Sequence, residues 1–166
     1  LVGSEMCIRD RTMSSSAEAI GALKACKDIG MEVWLGYTLH GVRKNTLPSG
    51  ESLTEALTAV KNYDIDAFLI NCCSANITAE AMKVFADTVD KPFGGYANSE
   101  IIDHIEHGDD SLDNAEDLQR ESRQSINADQ YSMIVKEWIE SGAKIVGGCC
   151  RTGPKHIEKL YQMINN

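Results

Sequence analysis

Four apolar segments separated by amphipathic segments limit the possible fold more than any other feature of this sequence. The apolar segments read EVWLGYTL, DAFLINCC, KPFGGYAN and KIVGG. Continuous apolar strands with helices between them are typical of a parallel sheet that is covered by helices. The sequence therefore predicts an α/β fold with four parallel strands.

Five segments have the periodicity of an amphipathic helix. The first is SSSAEAIGALKACKDIG, which ends on Gly30, and the second begins with the capping-box pattern of Ser52 and Glu55. The third covers roughly residues 79–89. The fourth and fifth are expected to bury nine residues: Tyr131, Ile134, Val135, Trp138, Ile139, Ile157, Leu160, Tyr161 and Ile164.

We expect the chain to be half of a larger barrel. The pattern opens on a helix with no strand before it, and four β/α units are half of an eight-stranded barrel, which needs about 250 residues. A complete small doubly wound sheet is the alternative, but such a sheet normally begins with a central strand. A polar segment, HIEHGDDSLDNAEDLQRESRQS, predicts a loop with a weak solvated helix.

The first eleven residues, LVGSEMCIRDR, stand apart from this pattern. They lack periodicity and resemble the translated adaptor sequence that contaminates some sequence assemblies. We therefore interpret residues 1–11, with Cys7, as a non-native segment and residues 12–166 as the domain.

Charge and cysteine content narrow the class of protein. The formal net charge is −9 and no basic stripe is visible, which argues against a nucleic-acid surface. No apolar run approaches the roughly 20 residues of a membrane span. The six cysteines do not follow the short, loop-rich pattern of a secreted disulfide scaffold, so we expect a reduced, cytoplasmic protein.

Polar and sulfur-containing residues occur where the predicted strands end. They are Asn71 and Cys72, then Tyr96 and Asn98, then Cys149 and Cys150. In parallel α/β folds the active site lies at the carboxyl ends of the strands. The sequence therefore predicts a candidate active site at the rim of the sheet, where the strands have their carboxyl ends.

The cysteines at the strand ends favour a metal centre. Cys72, Cys149 and Cys150 would meet in a closed or strongly curved sheet, and three thiolates suit zinc with its fourth position open, as in catalytic zinc sites. Neighbouring strand residues point to opposite faces, so the adjacent pair needs a bend, which we expect Gly147 and Gly148 to provide. Core packing of the cysteines and a strained vicinal redox pair are the alternatives.

Other candidate residues have weaker patterns. Cys73 points away from Cys72 in a regular strand, and we expect Cys73 and Cys26 to pack in the core. His156 is expected at the surface, and Arg151 is a candidate for holding a carboxylate. The remaining histidines lie in or near predicted loops: His40, His104 and His107.

Three segments resemble the homocysteine S-methyltransferase family. GGCCRTGPKHI is similar to that family's C-terminal signature, DAFLINCC to its earlier metal strand and KPFGGYANS to its next strand. The resemblance covers the chain from Thr12 onward. It implies a (β/α)8 TIM barrel of which only about the last four β/α units, with strands five to eight, are present. Residues 12–166 would then form the C-terminal half of a homocysteine-binding barrel domain.

The resemblance also implies a site and a reaction. It makes Cys72, Cys149 and Cys150 the zinc ligands, and it favours Cys72 over Cys73 because Cys72 directly follows Asn71. The implied enzyme moves a methyl group from a sulfonium donor, S-methylmethionine or S-adenosylmethionine, to homocysteine and yields methionine. Zinc would lower the pKa of the homocysteine thiol, so that a thiolate attacks the donor methyl.

The chain departs from the family pattern at its start, and several alternatives stay open. The family's first strand, with Asp-Gly-Gly, is missing, and Arg11 stands where members have a glutamate before the residue that corresponds to Thr12. The truncated chain is therefore expected to be inactive by itself. The alternatives are a methyltransferase with another donor or acceptor (betaine, a folate or selenocysteine) and a non-catalytic zinc-binding half-barrel that assembles as a dimer. The sequence identifies neither the donor contacts nor the oligomeric state.

Overall fold

Strands and helices alternate through most of the chain. The computed structural model describes residues 7–26, 32–41, 43–102 and 123–165. Its elements are β1 Cys7–Met13, α1 Ser16–Cys26, β2 Glu32–Tyr37, α2 Leu53–Val60, β3 Ala67–Ser74, α3 Ala75–Thr88, β4 Phe93–Asn98, β5 Glu100–Ile102, β6 Arg123–Ser125, α4 Ala128–Glu140, β7 Ile145–Gly148 and α5 Pro154–Asn165. None of the helices in these ranges is both long and apolar enough to cross a membrane.

Five strands form one parallel sheet in the order β1-β2-β3-β4-β7. The strands lie in the sheet in their order along the chain, so successive right-handed crossovers place the helices on the same face. Each helix accordingly packs on the next one, from α1 to α5. The predicted parallel α/β fold is confirmed. The described strands do not reverse their order as those of a doubly wound sheet do.

The sheet has one strand more than the four predicted. Strand β1 pairs in parallel with β2, from Cys7 opposite Glu32 to Met13 opposite Tyr37. Its sequence, CIRDRTM, contains three charged residues, so a search for continuous apolar runs misses it. The count of four strands was therefore wrong. The interpretation of residues 1–11 as a non-native segment stays a prediction, which the sequence of the source gene before Thr12 would test.

Helix boundaries agree with the predictions for α2 and differ for α3. The capping box of α2 is present, because the Ser52 hydroxyl accepts the Glu55 N–H and the Glu55 carboxylate accepts the Ser52 N–H. Helix α3 begins at Ala75 rather than at residue 79, because it follows β3 directly with Ser74 as its N-cap. Helix α1 ends at Cys26, and the predicted stop at Gly30 lies outside the described residues.

The polar segment that was predicted as a loop ends in a strand. Arg123–Ser125 pairs antiparallel with Glu100–Ile102, which follows β4 almost directly. This ribbon of β5 and β6 therefore lies beyond the carboxyl end of β4. The rest of the polar segment, with His104 and His107, lies outside the described residues.

The core lies between the sheet and the layer of helices, and α4 and α5 contribute to it unequally. In α4, Tyr131, Val135 and Trp138 are fully buried as predicted, but Ile139 is 37% exposed. In α5 only Leu160 is buried, because that helix packs mainly on α4 and β7 in the described part of the chain. Periodicity reveals an apolar face but not whether a neighbour covers it. The predicted burial was wrong for three residues of α5: Ile157, Tyr161 and Ile164.

Candidate metal centre

The carboxyl ends of β3 and β7 bring three cysteine side chains together. The Sγ atoms of Cys72, Cys149 and Cys150 all lie within 4.8 Å of one another. Cys72 and Cys149 are half-buried, and Cys150 is exposed. Among the described residues, no other three His, Cys, Asp or Glu side chains meet in this way. The three cysteines singled out from the sequence therefore converge on the rim of the sheet.

An irregularity at the end of β3 separates Cys72 from Cys73. The register of β3 against β4 shifts between Asn71 and Ser74, and Cys72 lies in the left-handed region with φ 58°. Cys73 is buried, and its Sγ lies 3.2 Å from the Thr78 hydroxyl oxygen. Cys73 therefore packs in the core as predicted, while Cys72 reaches the rim.

The two adjacent cysteines lie in a turn after β7, and the predicted role of the glycines was wrong. Strand β7 ends at Gly148, and neither Gly147 nor Gly148 has a positive φ. The turn is closed instead by Thr152, whose hydroxyl donates to the Cys149 carbonyl at 2.7 Å. A Cβ at Gly148 would lie 2.5 Å from the Thr152 Oγ1. Glycine is needed there for space rather than for an unusual backbone angle.

The end of β4 and the residue after it hold this turn in place through hydrogen bonds to its backbone. The Cys149 N–H donates to the Ala97 carbonyl at 2.8 Å, and the Cys150 N–H donates to the Asn98 Oδ1 at 3.2 Å. The Ser99 N–H donates to the Cys150 carbonyl at 3.0 Å. These bonds fix the backbone on both sides of Cys150, and with it the points from which both cysteine side chains extend.

Arg151 contacts a carboxylate of the protein itself. Its Nη1 lies 3.0 Å from the Oε2 of Glu100, a side chain that is only 2% exposed. The Nη1 of Arg123 lies 3.6 Å from Oε1, the other oxygen of the Glu100 carboxylate. A buried carboxylate needs such partners, because an unpaired buried charge is costly. Glu100 thus ties the residue after Cys150 to the β5–β6 ribbon.

Left-handed backbone conformations concentrate around the cysteines. The described non-glycine residues with positive φ are Thr12, Asn45, Cys72 and Arg151. Each such residue costs about 1–2 kcal/mol and persists only where surrounding contacts hold it. Thr12, Cys72 and Arg151 all lie at or beside the cysteine cluster. This concentration is typical of a functional site rather than of a sheet edge.

Asn71 anchors the backbone next to Cys72. Its Nδ2 donates to the Thr12 hydroxyl at 2.7 Å, and its Oδ1 accepts the Thr12 N–H at 3.1 Å. Asn71 is only 2% exposed. It therefore joins the ends of β3 and β1 across the end of β2. The sequence carried one signal of this role, an amide residue directly before Cys72, but not the identity of its partner.

The electrostatics of the cluster favour a bound cation. Burial, followed by the neighbouring Cys149 and Cys150, raises the pKa of Cys72 to about 12. Three thiolates so close together repel one another unless a positive ion lies between them. The metal-free chain therefore keeps Cys72 as a neutral thiol at neutral pH.

The donor set fits zinc. Two sulfur ligands of one tetrahedral zinc, each at about 2.3 Å from the ion, lie roughly 3.8 Å apart. The observed upper limit of 4.8 Å between the Sγ atoms is close to that separation, so small side-chain rotations would suffice. Soft sulfur donors select zinc over magnesium or calcium. Three protein ligands would leave a fourth position for a substrate.

The two described histidines, His40 and His156, are not part of this cluster. His156, predicted at the surface, is half-buried. Its Nδ1 accepts the Gly153 N–H, and its Nε2 lies within hydrogen-bond distance of the Ser99 hydroxyl. His40 lies in the loop after β2, where burial and then the Arg43 guanidinium lower its pKa. His156 is therefore less exposed than its position in the first turn of a surface helix suggested, because a buried serine and a backbone N–H hold the ring.

A cavity lies along the strand that precedes Cys149 and Cys150. It has a volume of about 320 Å³ and is lined by Trp34, Leu69, Tyr96 and Gly147, among others. Gly148, the residue directly before Cys149, also lines it. The cavity therefore extends along the sheet to the end of β7, and none of the three cysteines is among its lining residues.

Comparisons with known proteins agree with this geometry. The family model described as homocysteine S-methyltransferase matches residues 8–164. Homocysteine S-methyltransferase 1 of Arabidopsis thaliana is 30% identical over 146 residues, which cover 87% of this chain and 41% of the relative. Selenocysteine methyltransferase of Astragalus bisulcatus is 28% identical over 154 residues, or 90% of this chain and 41% of that protein. The chain thus spans about four-tenths of the length of these relatives.

A solved structure shares the fold. The homocysteine methyltransferase MmuM from Escherichia coli, in its metallated form, superimposes with a TM-score of 0.72 at 20% sequence identity. The match covers 96% of this chain and 46% of that one. The predicted assignment to a partial (β/α)8 barrel is confirmed by this match. The family model covers nearly the whole chain, and the chain belongs to the homocysteine S-methyltransferase family.

Proposed function

We propose that this chain provides the zinc-binding half of an enzyme that transfers a methyl group to the sulfur of homocysteine. One observation carries the proposal: the three Sγ atoms of Cys72, Cys149 and Cys150 lie within 4.8 Å of one another at the carboxyl ends of parallel strands. Barrel enzymes place their active sites at this end. The described cysteines of the rim form no disulfide, and reduced thiols suit a reducing compartment, so we place the activity in the cytoplasm.

The three cysteines would hold the ion, and the rest of the chain would hold the cysteines. Zinc, when bound, lowers the pKa of a thiol and so makes a thiolate available at neutral pH. Cys72 is anchored through Asn71, and Cys149 and Cys150 are fixed by the end of β4. Cys150 is the most exposed of the three, and we place the open side of the centre there.

The proposed reaction is a simple displacement. The acceptor sulfur loses its proton and forms a bond to the methyl carbon, while the bond between that carbon and the sulfonium sulfur breaks. The donor leaves as a neutral thioether and takes the electron pair of the broken bond. With homocysteine as the acceptor, the product is methionine. We place the approach of the acceptor along the cavity that reaches Gly148.

The donor and the acceptor are the least constrained parts of the proposal. We favour S-methylmethionine or S-adenosylmethionine as donor, with betaine or a folate as alternatives. The relative named selenocysteine methyltransferase supports selenocysteine as a second acceptor, since it matches this chain nearly as well as the homocysteine enzyme does. A selenol and a thiol place the same demands on a sulfur-rich zinc site.

The chain matches only part of the length of its relatives, and this bears on its expected activity. The chain spans 41% of the first two relatives, so the remaining substrate contacts would come from outside it. We therefore expect the 166-residue chain to bind zinc and to lack methyl transfer by itself. A half-barrel that binds zinc without catalysis, and assembles as a dimer, is the alternative.

The test compares methyl donors on the full-length protein that the source gene encodes. Homocysteine methylation would be followed by mass spectrometry with S-methylmethionine, S-adenosylmethionine and betaine supplied in turn. We expect transfer from a sulfonium donor, its loss in Cys149→Ala and its retention in Cys26→Ala, which alters a cysteine outside the cluster. Activity that survives in Cys149→Ala would refute the proposed role of the site. Zinc binding without transfer from any donor would favour the non-catalytic alternative.

A further inference from the structure

The turn that carries Cys149 and Cys150 is held by a second set of contacts at its far end. The Gly153 N–H donates to the Nδ1 of His156 at 3.1 Å. The Nε2 of the same ring lies 2.9 Å from the Ser99 hydroxyl oxygen. Ser99 follows β4 directly and also binds the Cys150 carbonyl through its N–H. One ring therefore connects the end of the turn to the residue that holds its middle.

The directions of these hydrogen bonds follow from the donors available. Nδ1 accepts a backbone N–H, so it carries no proton, and the proton of the neutral ring is on Nε2. Nε2–H then donates to the Ser99 hydroxyl, which in turn donates to the Ile126 carbonyl at 2.7 Å. Every donor in this chain of bonds has an acceptor. The network therefore specifies one tautomer and one orientation of the ring.

Burial makes this network stiff. Ser99 is 1% exposed, and the His156 ring packs edge-on against Tyr131, with the ring centroids 5.7 Å apart. The Tyr131 hydroxyl lies within hydrogen-bond distance of the Ala97 and Gly147 carbonyls, so the supporting ring is itself fixed to β4 and β7. Breaking a buried hydrogen bond leaves a polar group unpaired and away from water, which is unfavourable. The ring of His156 is thus held from three sides.

We propose that Ser99 and His156 are positioning residues of the metal centre, which lock the turn after β7 so that Cys149 and Cys150 bind one ion together with Cys72. The inference rests on the proposed function, because it presumes that the three cysteines bind zinc. Neither residue touches the cysteine sulfurs in the described contacts; both act on the backbone between residues 150 and 153. Supporting groups of this kind typically change metal affinity about 10–100-fold when they are removed.

Three substitutions of His156 separate its contacts. His156→Phe keeps a ring against Tyr131 but removes both hydrogen bonds. His156→Asn places an amide oxygen near the position of Nδ1 and keeps only the bond from Gly153. His156→Gln places an amide nitrogen near the position of Nε2 and keeps only the bond to Ser99. Ser99→Ala tests the same connection from its other end and leaves the ring in place.

The measurement is made on the full 166-residue chain with Zn²⁺ and Co²⁺ as probes. Zinc affinity is measured by competition with a chromophoric chelator, and the visible spectrum of the Co²⁺ form reports the geometry around the ion. We expect His156→Phe, which loses both hydrogen bonds, to weaken zinc binding about tenfold or more and to alter the Co²⁺ spectrum. Ser99→Ala, His156→Asn and His156→Gln each keep one of the two bonds, so their effects should fall between those of His156→Phe and the unmodified chain. Val60→Ala, a buried change in α2, should lower stability and leave both readouts unchanged.

Each outcome decides the inference separately from the proposed function. If His156→Phe and Ser99→Ala fold, bind zinc as tightly as the unmodified chain and give the same Co²⁺ spectrum, the positioning role is refuted. If His156→Phe does not fold, His156→Asn and Ser99→Ala carry the same test. If the unmodified chain itself binds no zinc, the proposed function fails first, and the inference fails with it.

Discussion

The contact between Asn71 and Thr12 gives a sharp prediction about what holds the rim of the sheet. Asn71→Ala removes two hydrogen bonds, one to the Thr12 hydroxyl at 2.7 Å and one from the Thr12 N–H at 3.1 Å. Thr12→Val removes only the first of them. Thr12 has a left-handed backbone with φ 67°. Threonine and valine are both β-branched, so the backbone strain at this position stays the same in the unmodified chain and in Thr12→Val.

The expected magnitudes follow from those bonds. Each hydrogen bond contributes about 1 kcal/mol net, and Asn71 is 2% exposed, so that its removal also leaves a small cavity. We expect Asn71→Ala to lower the free energy of unfolding by about 2–3 kcal/mol, or the Tm by about 5–10 °C in a chain of this size. Thr12→Val should cost about 1 kcal/mol, and the coupling energy of the pair should also be about 1 kcal/mol.

The assay is urea unfolding of the two single variants and the double variant, with a chelator present to exclude effects of bound metal. Thr58→Val changes an exposed threonine of α2 and serves as the control, with an expected effect within about 0.5 kcal/mol. The reasoning is refuted if the effects of Asn71→Ala and Thr12→Val simply add, because the pair would then have no interaction to lose. Added zinc should stabilise the unmodified chain more than Asn71→Ala, since the anchor lies next to Cys72.

Two further predictions concern protons and packing. The pKa of Cys72 is raised to about 12 in the metal-free chain, so zinc must displace the thiol proton at neutral pH. The apparent affinity for zinc should therefore rise about tenfold per pH unit for each displaced proton between pH 6 and 8. Chelator competition at several pH values measures this, and an affinity independent of pH would contradict it. Gly94→Ala should cost on the order of 3 kcal/mol, because its Cβ would lie 1.8 Å from the Ile145 carbonyl oxygen and push β7 away from β4. Gly147→Ala, whose Cβ would only touch the Tyr96 Cβ at 3.4 Å, should cost less than about 1 kcal/mol by urea unfolding, and equal losses would contradict the packing argument.

The sequence allowed prediction of features that depend on local composition. The apolar runs identified β2, β3, β4 and β7, because buried parallel strands need no polar face. The convergence of Cys72, Cys149 and Cys150 was predictable because parallel strands end on the same rim.

Features that depend on neighbours were not predictable in the same way. Strand β1 is rich in charge and was missed, and the exposed side of α5 has the same periodicity as a buried one. The turn after β7 was attributed to two glycines, yet a threonine hydroxyl and the end of β4 form it. Thr12, the partner of Asn71, lies 59 residues away along the chain, and Ser99, the distant partner of His156, lies 57 residues away, and no local pattern indicates either of them.

The most direct test of the account is the zinc content of the purified 166-residue chain and its cysteine variants, measured by inductively coupled plasma mass spectrometry. Cys72→Ser and Cys73→Ser form a matched pair, because these neighbours differ in burial and only Cys72 belongs to the cluster. The account predicts about one zinc per chain in the unmodified protein and in Cys73→Ser, and no bound zinc in Cys72→Ser or Cys149→Ala. Zinc retained by Cys72→Ser, or absent from the unmodified chain, would contradict it.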